Sequence, residues 1–244
     1  MPGGRATGRL IRQEEDMEAD SSATERAGFW AATGCAVLSL IYVVAQILEW
    51  QGLLGSAGGP SSVSTPAGMV VLLTPSLFLG AAFVIMMSAL HQASVASKKV
   101  FSQAALSFAI IYATLISLVH FVQLTLVAPR LAAGDTRDIE VLLFVPYRSF
   151  LFAVDLLGYS MMSLSTLLAA FAVPAARGAP AARVFLLLNG ALLPFLALQM
   201  FFPGLIAFAA LWSVAFPAAA ICLAGVFRQR LHATRRNADQ PHRL

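Results

Sequence analysis

The chain has 244 residues, of which 59% are hydrophobic and 11% charged, with a formal net charge of +4. Soluble domains carry about 25% charged residues, so a soluble fold here would have to show large apolar surfaces to water, and it is excluded. The excess of positive charge follows from membrane topology, set out below, and is not a nucleic-acid-binding signature.

Six apolar stretches, each near the roughly 20 residues that cross a bilayer as a helix, follow one another with short breaks. The predicted spans are 29–50, 67–92, 100–128, 146–173, 182–202 and 205–227. This is an all-α, polytopic integral membrane protein. Residues 1–28 mix Arg5, Arg9, Arg12 and Arg26 with six acids and do not read as a signal peptide. They are expected to form a disordered cytoplasmic tail. Residues 51–66 read as a flexible loop and 93–99 as a short turn. In 129–145, Asp135 and Thr136 are placed to cap a short helix running into IEVLLFVP. The apolar run from Ile139 to Val173 is too long for one perpendicular crossing. It either breaks near Pro146 or tilts strongly. Pro194 and Pro217 fall inside the fifth and sixth spans and predict bends, which often border cavities. Residues 228–244 form a basic cytoplasmic tail.

Lys and Arg collect on cytoplasmic segments. With the N-terminus inside, thirteen of the sixteen basic residues are cytoplasmic, and only Arg130, Arg137 and Arg148 are outside. Both termini are therefore expected inside. Ala-, Gly- and Leu-rich usage is compatible with a bacterial inner (plasma) membrane. Cys35 and Cys222 sit near the inner span ends, where a reducing compartment disfavours a disulfide. Trp30 and Trp50 fit interfacial belts, and Trp212 lies deeper.

Ionisable groups inside a span are costly and tend to mark function. Here they are Glu49, His120, Arg148 and Asp155, with His91 at an inner edge. Tyr42, Gln46 and Glu49 share a face of the first helix by their i, i+4, i+7 spacing, as do His120 and Gln123 on the third. Arg148, Asp155 and Tyr159 are spaced i, i+7, i+11 on the fourth. At 1.5 Å per residue, Tyr42, His120 and Asp155 all lie roughly 12–14 Å below the outer boundary, and Gln199 of the fifth helix is near that level. Asp155 is expected to hydrogen-bond His120 or Tyr42, and Arg148 to pair with Glu49 at the rim.

Other chemistries find little support. A metal centre needs about three ligands at one depth; His120, Asp155 and Glu49 are the candidates, Glu49 lies too near the rim, and there is no HExxH pair. Two facing histidines for haem and a buried lysine for a Schiff base are also missing. The glycine-rich GLLGSAGG at 52–59 lacks the lysine of a phosphate loop. No cofactor or metal is expected. The leading expectation is an outward cavity between helices one, three, four and five, with Asp155 and His120 as its polar floor. It would bind or transport a small polar or amphipathic molecule or a lipid. The alternatives are a structural subunit or assembly factor, in a protein complex or homo-oligomer, whose polar residues hold helices together, and an intramembrane enzyme using the His–Asp pair as acid and base or as a metal site.

Overall fold

The computed structural model describes residues 3–238, with side chains from Ser21 to Thr234 and at Arg236. Its elements are helices, and six helical stretches are long and apolar enough to cross a membrane. The first span lies in α1 (Gly3–Trp50) and the second is α2 (Pro66–Ala93). The third comprises α3 (Lys99–Val122), a π turn at Gln123–Val127 and α4 (Ala128–Ala132). The fourth is α5 (Phe150–Ala172). The fifth is broken into α6 (Ala179–Gly190) and α7 (Leu193–Ala197), and the sixth into α8 (Ile206–Ala209) and α9 (Trp212–Ala238).

Several boundaries differ from expectation. The tail expected to be disordered continues α1 back to Gly3. Residues 9–27 contain neither Gly nor Pro, and extending an existing helix fixes only one residue per added hydrogen bond. Met1, Pro2 and the end of the basic tail, 239–244, lie outside the described residues. The short helix expected before Pro146 is a single 3₁₀ turn at Glu140–Leu142. Asp135 does not cap it. Its carboxylate accepts from the backbone N–H and guanidinium of Arg137, 3.2 and 3.1 Å away, which hold that carboxyl below its ordinary range. Asp138 then turns the chain in the left-handed region at φ 63°. The fourth helix starts at Phe150 rather than 146. Ser149 is its N-cap, its hydroxyl accepting from Phe152 N at 3.2 Å, and Tyr147 ahead of it has φ 62°. The break near Pro146 is thus the form the long apolar run takes.

The spans alternate in direction, so the N-terminal start of the first and the end of the last share one end of the bundle. There Glu25 of α1 accepts from Arg230 of α9 at 2.5 Å. Each span packs on its neighbour in sequence, and α9 closes on α1, making a ring of six. Helix faces explain the closure. On α1, Val37, Leu40, Ile41, Val44 and Ile47 are exposed, an i, i+3, i+4 stripe suited to lipid. Ala32, Cys35, Ser39, Ala45 and Glu49 on the other side are buried.

Small residues let the backbones approach. At Gly190 a Cβ would lie 2.6 Å from Leu167 Cβ, so α5 and α6 meet at nearly backbone contact. Hydrogen bonds join the helices in this half of the bundle, although Glu25 Oε2, Tyr112 Oη, Ser163 Oγ and Asn189 Oδ1 are buried without a partner among the described residues. Asn189 donates to Thr166 Oγ1 at 2.9 Å, Ser165 to Ala105 O at 2.7 Å and Ser94 to Ala172 O at 2.9 Å. The ring's centre is filled by aromatics. Trp212, Tyr159, Tyr112, Phe83 and Phe216 form a closed circuit with consecutive centroids 5.5–5.8 Å apart. Edge-to-face and offset contacts of this kind are the favoured aromatic geometries.

Candidate functional site

Above the aromatic circuit, at the end of the bundle that carries the 51–65 loop, lies a cavity of about 230 Å³. Its existence follows from the broken spans. α6 stops at Gly190 and α9 starts only at Trp212, so two of the six walls consist of short helices and turns at this level. Leu196 and Gln199 line the cavity from the fifth span. Ile206, Ala209, Ala210, Trp212 and Ser213 line it from the sixth.

The floor is polar. His120 Nε2 lies 3.2 Å from Asp155 Oδ1, and both residues are buried. A carboxylate only accepts, so Nε2 carries the hydrogen in this contact. The other ring nitrogen, Nδ1, is buried with no hydrogen-bond partner among the described residues. One turn along α5, Tyr159 shares a hydroxyl–hydroxyl hydrogen bond of 3.0 Å with Ser76 of α2. Tyr42 donates to Gln46 Oε1 at 3.2 Å, and its ring stands edge-on to Trp212 with centroids 5.5 Å apart.

Toward the mouth the ionisable group is Glu49. It is 3% exposed, and neither carboxylate oxygen has a hydrogen-bond partner among the described residues. A Cβ at Gly68 would lie 3.0 Å from its Oε2, so the glycine at the start of α2 leaves room for the carboxylate. Gln199, 1% exposed, has an equally unpartnered Nε2. Met69, Leu72 and Leu73 of α2 supply apolar wall. The rim is made by the two loops, Gly59 to Ser64 on one side and Phe144 to Tyr147 on the other. Tyr147 packs on Phe152 with centroids 5.0 Å apart, and burial pushes its phenol up from the ordinary value.

Seven of the nine residues singled out from sequence line this one cavity: Tyr42, Gln46, Glu49, His120, Asp155, Tyr159 and Gln199. The expected contact of Asp155 with His120 is present. Two residues depart from expectation. Arg148 does not pair with Glu49. Because α5 begins after it, Arg148 stands in the loop, exposed, and borders a separate depression with Glu140. Gln123 turns away and donates to Leu142 O at 2.7 Å. It lies at the start of the π turn, and Leu142 ends its 3₁₀ turn with the chain extended after it, which leaves that carbonyl in need of a donor. Gln123 therefore ties the 133–149 loop to the bundle.

The contributions of the second and sixth spans were not expected from sequence. Trp212 was the one tryptophan away from a span end, which was the available signal. Trp50, which fits an interfacial belt, also lines the cavity. Among the described residues no three His, Cys, Asp or Glu side chains come close enough together to hold a metal ion. Among the described residues His120 makes no hydrogen bond to a hydroxyl or thiol. No family model matches the chain, and neither a curated protein nor a solved structure matches it.

Proposed function

We propose that this multi-pass membrane protein binds or passes a small polar or amphipathic molecule through the cavity between its broken helices. In this reading both termini face the cytoplasm of a bacterial cell, because thirteen of sixteen basic residues then lie inside. The protein sits in the inner (plasma) membrane and the cavity opens outward.

One observation carries the reading. Where polar side chains join helices, as Asn189 joins Thr166, Ser165 joins Ala105 and Ser94 joins Ala172, at most one atom of a side chain such as Asn189 Oδ1 or Ser163 Oγ is left over. In the cavity a whole carboxyl group, that of Glu49, has no partner among the described residues. Glu49 and Gln199 are buried, unpartnered and lie on one hollow. A buried polar atom without a partner costs about 1–3 kcal/mol, more if charged. Such groups are retained where a ligand or solvent meets them. This favours a binding site over the structural-subunit reading.

Access is the testable consequence. Ser213→Cys, in a background with Cys35→Ala and Cys222→Ala, places a single thiol on the cavity wall. A membrane-impermeant thiosulfonate applied to sealed, right-side-out vesicles should label it from outside. A thiol that reacts only after the bundle is unfolded means a dry, closed interior and returns the polar residues to a joining role.

A further inference from the structure

The charges around the cavity do not balance. Among the described residues its walls hold two carboxyl groups, Glu49 and Asp155, and one imidazole, His120, but no lysine or arginine. The imidazole is already engaged by Asp155 at 3.2 Å. The nearest expected counter-charge, Arg148, faces a different surface depression. Glu49 is left 97% buried by its 3% exposure, with both oxygens free of hydrogen bonds among the described residues. A buried carboxyl group in such a place either takes up a proton or is met by a positive charge, and a cation that enters the cavity supplies the second.

The rest of the lining points to what kind of positive charge. Tyr42, Trp50 and Trp212 border the same hollow. Aromatic faces attract a cation held within about 6 Å, tryptophan most strongly, and more so where water is excluded. Apolar residues of α2 and α8 complete the wall. A hard inorganic cation takes about six or more oxygen ligands, usually several of them carboxylate, and among the described residues no three His, Cys, Asp or Glu side chains meet to hold one. At about 230 Å³, the space is below the roughly 300–1,000 Å³ of pockets for drug-sized ligands, so the occupant is small.

Building on the binding reading above, we propose that the cavity selects small organic cations, with an ammonium at Glu49 and an apolar body against Trp212 and Tyr42. Asp155, held by His120, forms the polar floor beneath it. The ligand class is an alkyl- or aryl-substituted ammonium. A neutral or anionic molecule of the same size would leave Glu49 unmatched.

The test uses the full-length protein in detergent and three probes with equal numbers of heavy atoms: benzyltrimethylammonium, neutral N,N-dimethylbenzamide and anionic 3-phenylpropanoate. Thermal stabilisation is followed across a concentration series. Benzyltrimethylammonium should raise the melting temperature at concentrations where the other two do not. Glu49→Gln, close to isosteric, should weaken its binding by about tenfold, the equivalent of 1.4 kcal/mol. Glu49→Asp, which keeps the charge, should retain most of it and guards against a folding artefact. Equal stabilisation by the amide would overturn the cation assignment while leaving the cavity as a binding site. An effect of the cation that survives Glu49→Gln unchanged would overturn the role of Glu49. Stabilisation by none of the three would also overturn the assignment. The thiol labelling of Ser213→Cys judges the cavity itself independently.

Discussion

Glu49 and Asp155 are both buried acids, yet their surroundings differ. Asp155 has a fixed donor in His120 Nε2, whereas Glu49 has none among the described residues. Substitution should separate them. Asp155→Asn keeps an acceptor for His120 and exchanges a charged hydrogen bond for a neutral one, at a cost of about 1 kcal/mol. Asp155→Ala strands the imidazole and should cost about 1–3 kcal/mol. Thermal or chemical melting in detergent checks the order, and an Asn variant less stable than the Ala variant would contradict the contact. The glycine beside Glu49 offers a second test at this scale. In Gly68→Ala the new Cβ meets Glu49 Oε2 at 3.0 Å and Thr65 Oγ1 at 3.2 Å. The carboxylate is the end of a flexible side chain and can give way, and Ala gains about 1 kcal/mol of helix propensity over Gly. Melting temperature should hold while affinity for benzyltrimethylammonium falls several-fold. Loss of folding instead would mean that Gly68 serves packing alone.

The elements that shape the site are the interrupted ones. Helical spacing made the shared face of Tyr42, Gln46 and Glu49 legible, because α1 runs unbroken through them. The same rule failed for Arg148, which was counted along a helix that begins two residues later at Phe150. Hydropathy cannot register that boundary, since the loop before it, Leu142 to Val145, is as apolar as the helix. What sets it is the Ser149 cap and the backbone turn at Tyr147. Pro194, which pointed to a bend, stands in the first turn of α7, just after the turn at Ala191 and Leu192 that interrupts the fifth span. Pro217 does lie within α9, and Pro75 lies within α2. On the inner side of the interruption, at the last residue of α6, packing is tight. Gly190→Ala would drive a Cβ to 2.6 Å from Leu167 Cβ and 2.8 Å from its Cα. The backbone cannot yield as a carboxylate can, so overpacking should cost about 1–3 kcal/mol. The prediction is a lower melting temperature with unchanged probe affinity per folded molecule, the reverse of Gly68→Ala. An unchanged melting temperature would contradict the close approach of α5 and α6.

Across the whole molecule, six apolar stretches were enough to recognise the membrane fold, because backbone hydrogen bonds must be satisfied within each span. The closure of the ring was not legible, since one helix face in lipid resembles another in composition. Nor was the convergence of seven polar residues on one cavity readable as contact. Depth along each helix placed them at one level, and only the packing of α9 against α1 brought Trp212 to Tyr42. The architecture is a ring of helices sealed by aromatics at mid-height and open above them, where two spans break. Its charge imbalance lies in that open half.

The most direct test joins access, sidedness and ligand class in one measurement. It is the rate at which an impermeant thiosulfonate labels Ser213→Cys in right-side-out vesicles, with and without saturating benzyltrimethylammonium. The account predicts labelling from the face opposite the termini, slowed at least several-fold by the cation and left unchanged by 3-phenylpropanoate. Labelling only from the side of the termini, or at a rate indifferent to the cation, would contradict it.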